Sequence, residues 1–468
     1  VTAVARLVVA APGGGHGKTA VAHALRVACA ARGLRVAGFR LGPPPLPGTP
    51  WNDRSIRSLD AWLAGGRTLP SLFSHGAEGA DVAVVEAGAG LYDGVAGHGE
   101  LGSASQLARQ LRAPVLLVLG AGGQGRSVAA IAHGFRGYAP DLWIAGVLLT
   151  GVVSGSHEQV LCTALAEIDM PVLGVVRAGR APAEGLDLDR LLVLAHSAPA
   201  LSVEPWLPLD AVGGPLVPAG RSPVRIAVLG GEVFAVPYQE HLELLAAAGI
   251  EVVEVDPLVD EELPEGTAGL YVPDGVPEDR IADLTANVPL RAAITALARS
   301  GAPLVAEGAG LPYLGRSLCD RPMCDVVPAD FGLVDRAVYG YRAAESLEDG
   351  LLTEAGEPVP VHERHRTSGS PASGPHRLWR VGDRVEGYGG AGLHATYLQS
   401  HWAGRPWFAR RFADAALAAA VGADVAGVAV ADVGAAAVEA ADVEAADVEA
   451  ADVEAADVEA ADVEAADV

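Results

Sequence analysis

Short apolar runs separated by helix-length segments recur along this chain, and that alternation restricts its fold more than any other feature. Residues 6–11, 82–86, 114–119, 144–149 and 172–176 are short, mainly apolar runs, the pattern of strands covered on both faces. Between them, segments such as 125–135, 158–166 and 186–195 read as helices. Strand and helix in strict turn predict a parallel sheet with helices on both sides. Residues 197–223 are rich in Pro and Gly without a sustained period and read as a linker. The alternation then resumes, with strands at 224–229, 250–255, 270–272 and 304–306 and helices at 238–248 and 290–300. The expectation is an α/β protein of two doubly wound parallel-sheet domains, residues 1–196 and 224–415. The Ser-, Gly- and Pro-rich stretch 366–375 reads as a loose surface loop.

Charge excludes some partners. The formal net charge is −25, and fourteen acidic residues lie after position 423. The remainder is mildly acidic with no basic stripe, which argues against a general nucleic-acid binder. From about residue 434 the tail repeats Ala-Asp-Val-Glu-Ala. On a helix each successive valine would rotate by ~140°, so no apolar face accumulates, and residues 416–468 read as a disordered acidic segment. No apolar run is long enough to span a bilayer. The first apolar stretch ends in a glycine loop carrying Lys18 rather than a cleavage site, so no signal peptide is expected. Cys29, Cys162, Cys319 and Cys324 fit no zinc ribbon or disulfide framework. A reducing cytoplasm is expected, and Cys319 and Cys324 read as small apolar filler.

Residues 12–19 read Pro-Gly-Gly-Gly-His-Gly-Lys-Thr, between a strand and a helix. Gly14, Gly15 and Gly17 let backbone N–H groups turn toward phosphate oxygens at a helix N-terminus. Lys18 would reach the outer phosphates of ATP and Thr19 would ligate Mg2+. A plain glycine-rich turn with an exposed lysine is the alternative. Glu86 ends an apolar strand, where a carboxylate faces the ligand crevice of a parallel sheet and could hold Mg2+. Asp93 lies just beyond. It either binds metal or substrate, or makes a simple Asp-Gly turn.

Residues 303–315 have the outline of a nucleophile elbow, an apolar run breaking at a tight glycine turn. The delivered residue is Gly308, which carries no nucleophile, so covalent catalysis at that position is excluded.

Together these stretches resemble the cobyrinic acid a,c-diamide synthase family over residues 5–412. The resemblance is carried by the loop at 12–19, Glu86 to Gly94, Gly155 to Glu158, Glu307 to Leu318, Gly340-Tyr341-Arg342, His362-Glu363-Arg364-His365 and Ala395-Thr396-Tyr397-Leu398. It implies a P-loop, dethiobiotin-synthetase-like domain followed by a class I glutaminase-like domain. It also implies ATP-dependent activation of corrin carboxylates, amidation by ammonia from glutamine, a tetrapyrrole substrate and a homodimer. Lys18 and Thr19 take the nucleotide and magnesium roles, and Glu86 and Asp93 those of active-site carboxylates.

The sequence departs from that family at several points. The family's Gly-Pro-Asp-Tyr-Ile-Asp-Pro becomes Gly42-Pro43-Pro44-Pro45-Leu46-Pro47-Gly48, which removes two aspartates. Its Asn-Arg becomes Thr150-Gly151. Its Glu-Cys-Gly-Gly elbow becomes Glu307-Gly308-Ala309-Gly310, and the histidine of Tyr-Leu-His becomes Gln399, an amide that takes no proton from a thiol. His401 matches a second histidine, not the base. The glycine loop that would supply oxyanion donors becomes Pro273-Asp274-Gly275, and Pro273 has no N–H. The expected activity is an amide synthase that uses free ammonia. The alternative is a catalytically silent nucleotide-binding paralogue or partner subunit.

Overall fold

The computed structural model describes residues 3–44, 56–216, 223–234 and 238–422. Residues 1–416 form one compact unit. Of the second unit, 417–468, residues 417–422 are described, as helix. Most of the proline-rich stretch after Pro44 and the acidic repeats lie outside the described residues.

The first sheet has seven strands, all parallel. In chain order they are β1 (Ala5–Ala10), β2 (Val36–Leu41), β3 (Ile56–Leu59), β4 (Val82–Glu86), β5 (Val115–Gly120), β6 (Ile144–Val152) and β7 (Val172–Arg177). Their spatial order is β3-β2-β4-β1-β5-β6-β7. The helices are α1 (Lys18–Ala31), α2 (Leu69–Gly76), α3 (Ala104–Gln110), α4 (Ser127–Tyr138), α5 (Gly155–Ala166) and α6 (Leu188–His196). β1 is buried along its whole length. Val8 and Ala10 face a core with Phe39, Val85, Leu117 and Leu149. Leu7 and Val9 face a second core with Val21, Leu25, Val84 and Leu148. One strand feeding two cores is why its sequence is apolar at every position but Arg6.

Within the segment read as a linker, some of the described residues 197–216 make packed contacts. Arg6, fully buried in β1, donates to the carbonyls of Leu111 at 2.6 Å and Val4 at 3.1 Å, and to that of Pro199 beyond α6. Burial, with Arg112 nearby, pushes its guanidinium down to about 10. Leu201 and Val212 are buried, the latter in α7 (Pro208–Val212).

The second sheet begins with β8 (Val224–Leu229), β9 (Ile250–Val255), β10 (Thr267–Val272) and β11 (Leu304–Glu307). Five short helices accompany it: α8 (Gln239–Ala247), α9 (Ile281–Ala286), α10 (Val288–Arg299), α11 (Gly310–Leu314) and a helix starting at residue 407. Then come β12 (Ser317–Leu318), β13 (Arg321–Pro322), β14 (Asp330–Ser346), β15 (Pro358–Ser370), β16 (Arg377–Val381), β17 (Arg384–Gly390), β18 (Leu393–Thr396) and β19 (Leu398–Gln399). Strands β9, β8, β10, β11 and β18 are parallel neighbours. Beyond β18 the sheet continues antiparallel through β17, β16 and β14. The second sheet is therefore a parallel core extended by antiparallel strands.

The long antiparallel pair β14–β15 is not visible in the apolar pattern. Its register runs from Asp330 opposite Ser370 to Glu345 opposite Pro358. Residues 366–370, expected as loop, are the end of β15. Thr367 is buried there with its hydroxyl 2.8 Å from that of Tyr397. The partner strand, not local composition, determines their conformation.

Candidate functional site

The phosphate-loop candidates converge at the C-terminal end of β1. Gly15 and Gly17 have φ of +79° and +83°, the left-handed region that glycine tolerates. A Cβ added to Gly13, Gly14 or Gly15 would meet nothing within 4 Å, so the loop is an open cradle. Lys18 is only 8 % exposed, which removes the reading of an exposed lysine on a plain turn. Its Nζ donates to the Gly13 carbonyl at 3.2 Å, folding back over the loop. Burial pushes the Lys18 ammonium below its usual range, against the opposing pull of Glu86. His16 accepts from the Gly120 N–H at 2.8 Å through Nδ1, and its carbonyl accepts from the Thr150 hydroxyl at 2.9 Å. Thr150, at the position of the family's asparagine, thus braces the loop.

Glu86 lies beside Thr19. The Thr19 hydroxyl donates to Glu86 Oε1 at 2.5 Å, and Arg40 Nη1 donates to the same oxygen at 2.8 Å. Arg40 is one position before the end of β2, directly opposite Glu86 in the parallel register. It would have been found by the reasoning that found Glu86, had β2 been recognised. Asp93 turns its Oδ2 to the Gly90 N–H at 3.1 Å and also lines the cavity. The turn and the site placement hold together.

Thr19, Glu86 and Asp93 line a cavity of about 450 Å³ whose opposite wall is Tyr339, Tyr341 and Arg364 from β14 and β15. The hairpin reaches the first sheet through specific contacts. The Tyr341 hydroxyl donates to Asp60 Oδ2 at 2.6 Å, Trp62 Nε1 donates to the Arg342 carbonyl at 3.2 Å, and Arg364 Nη1 donates to the Pro44 carbonyl at 2.9 Å.

The elbow is present in outline. β11 ends at Glu307, Gly308 turns at φ +61°, and α11 begins at Gly310. A nucleophile here would have to displace Asp274, because a Cβ on Gly308 would lie 2.5 Å from Asp274 Oδ1. That oxygen accepts from the Ala309 N–H at 2.9 Å. Asp274 Oδ2 accepts from Arg364 Nε at 3.1 Å and from Nη2. The second residue of the former oxyanion loop thus fills the nucleophile's space. The expectation drawn from Pro273 gave no sign of this.

Gln399 is in β19, opposite His362 of β15, and its Nε2 is buried without a partner among the described residues. Thr396 pairs with Glu307, so the chain leaves β18 beside the elbow. His401 accepts from the Ala403 N–H at 3.3 Å through Nδ1 and packs against Tyr238 with the rings tilted by 40° and their centroids 4.3 Å apart. Burial pushes the His401 imidazole below its usual range. Beneath the turn, Glu307 accepts from Tyr271 at 2.8 Å and from the Ser400 hydroxyl at 2.9 Å, and burial pushes its carboxyl up to about 7. Cys29 and Cys324 are buried and no cysteine is in a disulfide. Among the described residues no helix is long and apolar enough to cross a membrane.

Comparison with known proteins agrees with this arrangement. Residues 7–188 match the family model of the CobQ/CobB/MinD/ParA nucleotide binding domain, and residues 225–407 match that of the CobB/CobQ-like glutamine amidotransferase domain. The hydrogenobyrinate a,c-diamide synthase of Streptomyces coelicolor is 43 % identical over 88 % of this chain and 98 % of its own length. That of Mycobacterium tuberculosis is 38 % identical over 87 % of this chain and 97 % of its own. The cobyrinate a,c-diamide synthase of Gloeobacter violaceus is 35 % identical over 88 % and 97 %. With both domains matched in order and nearly the whole of each relative covered, the chain belongs to the cobyrinate and hydrogenobyrinate a,c-diamide synthase family.

Proposed function

We propose that the protein is an ATP-dependent amide synthase acting on carboxylates of a corrin, with free ammonia as its nitrogen donor. One observation carries the reading: Thr19, Glu86 and Asp93 line one cavity, with Lys18 folded over the adjoining phosphate loop, in a chain similar to such synthases over its length. ATP would lie with its phosphates over Gly14, Gly15 and Gly17, where Lys18 neutralises their charge. Transfer of the terminal phosphoryl group to a corrin carboxylate makes the acyl carbon electrophilic. Ammonia attacks that carbon, phosphate leaves, and the nitrogen loses a proton.

The residues present fit Mg2+. The Thr19 hydroxyl and the Glu86 carboxylate are hard oxygen donors in contact, and Mg2+ bound to a nucleotide needs only one or two protein oxygens. Bound there, the ion would supply charge to the phosphates. Arg40 would hold Glu86 in position through their hydrogen bond, and Asp93, which lines the cavity, would orient substrate. Glutamine hydrolysis is absent from the proposal because Gly308 offers no nucleophile, Gln399 offers no base, and Asp274 crowds the space a side chain at 308 would take. The alternative, a silent nucleotide-binding paralogue, is favoured by one feature, Pro44 and Pro47 in place of two carboxylates. A cytoplasmic homodimer completes the proposal, and light scattering would report the dimer.

The test is to incubate the full chain with cobyrinic acid, ATP and Mg2+, supplying either ammonium or glutamine, and to read products by mass spectrometry. ATP-dependent amides are expected with ammonium and none above a blank with glutamine alone. Amide formed from glutamine would refute the ammonia assignment. Absence of ATP-dependent product from both would leave the silent paralogue.

A further inference from the structure

Resting on the corrin synthase reading, we propose that Tyr339, Tyr341 and Arg364 form the recognition face for the carboxylated macrocycle. Arg364, held by Asp274 at the degenerate elbow, receives one of the macrocycle's peripheral carboxylates. The antiparallel register places Tyr339 directly opposite Arg364 and Tyr341 directly opposite His362. Residues two apart in a strand share a face, so these four side chains stand together on one side of the hairpin. His362 is the spacer: its ring meets those of Tyr339 and Tyr341 edge-on at 4.9 Å and 5.3 Å. The other three line the cavity across from Thr19, Glu86 and Asp93.

The chemistry of that face suits a flat, apolar ring bearing acids. Tyr339 is 65 % exposed, an aromatic surface beside a cation. Arg364 is the one cation the second half of the chain contributes to the described cavity lining. Its bonds to Asp274 and Pro44 occupy three of its five N–H donors. The remaining fork is available for a carboxylate. Asp274 fixes the guanidinium from behind. The carboxylate that fills the nucleophile's space thereby converts a site for nitrogen release into a support for substrate binding.

The experiment uses the full chain with Mg2+ and a non-hydrolysable ATP analogue. Affinity is measured for cobyrinic acid and for a corrinoid whose carboxylates are all converted to amides. The principal variant is Arg364→Ala with Asp274→Ala, because removing the arginine alone would strand a buried carboxylate. The expected result is about 10- to 100-fold weaker binding of the acid, the scale of a lost charge-assisted contact. Affinities for the amidated corrinoid and for nucleotide should stay within about two-fold of wild type. Arg364→Lys, which keeps the charge and loses the fork, should fall between and serves if the double variant fails to fold. Tyr339→Ala should weaken both corrinoids alike. Equal binding of the acid by wild type and the arginine variants overturns the inference and leaves the synthase reading standing. A wild-type protein that binds nucleotide and neither corrinoid overturns that reading and the inference with it.

Discussion

Gly308 and Asp274 show how one residue's space becomes another's. Gly308 has φ +61°, where a side chain is strained, and Asp274 crowds the direction a Cβ would take. Gly308→Ala should therefore destabilise the protein by about 2–4 kcal/mol, the sum of left-handed strain and overpacking. In an Asp274→Gly background the same substitution should cost only about 1 kcal/mol. Denaturant unfolding of the four proteins forms a double-mutant cycle, and additivity would show that the two sites do not compete for space. By the same geometry, Gly308→Cys with Gln399→His should restore no glutamine hydrolysis while Asp274 remains. In the phosphate loop, Lys18→Ala should weaken ATP binding at least about ten-fold, since the Lys18 ammonium folds back over the cradle. Calorimetry that finds wild type and variant equal would remove the loop from the nucleotide site. The loss of a nucleophile at 308 was legible in the sequence because a glycine has no alternative chemistry. The identity of the group replacing it was not, because Asp274 and Gly308 lie on different strands' ends and meet only in the folded sheet.

At the scale of elements, legibility followed burial. β1, β4, β5 and β8 are short, mainly apolar and largely covered, and their sequences announce them within a residue or so of the observed ends. β14 and β15 do not. Their residues alternate irregularly between exposed and buried, since the hairpin faces solvent along part of its length and the cavity along another. No single period survives that mixture. β2 and β3 were equally silent, and Arg40 was missed with them. The hairpin's contacts with the first sheet include single hydrogen bonds, which makes them testable. Tyr341 bonds to Asp60, a buried carboxylate that also accepts from the N–H groups of Trp62 and Leu63 at 3.0 Å and 3.1 Å. Burial pushes the Asp60 carboxyl above its usual range, and the Tyr341 bond opposes that shift. Tyr341→Phe should cost about 1–3 kcal/mol of stability through the unsatisfied partner. Wild-type stability in the variant would mean that the hairpin is held elsewhere.

The whole molecule depends on the two sheets being fastened together, because the cavity takes one wall from each. A principal fastening is Arg57 of β3, which donates to Glu240 at 3.0 Å and to Glu243, both in α8. His75 of α2 adds a contact to Glu243 at 3.0 Å. Burial alone would raise the Glu243 carboxyl, but hydrogen bonds from His75 and Arg57 and their charge outweigh it and bring it down to about 2. The sign of the consequence follows from linkage. The folded value lies below the ordinary 4.5, so on acidification the unfolded chain takes up this proton first. The contribution of Glu243 is thus complete above about pH 4.5 and disappears as pH falls toward about 2. Glu363, also held near 2 by His365 and Arg384 against its own burial, adds to the acid sensitivity, so the wild-type curve alone cannot isolate the fastening. The difference between wild type and Glu243→Gln can. Urea midpoints measured from pH 6 to pH 3 should fall more steeply for wild type, with the two proteins drawing together at the acid end. Parallel curves would mean that the sheets are joined without this cluster, and that the cavity's two walls are aligned by the hairpin contacts alone.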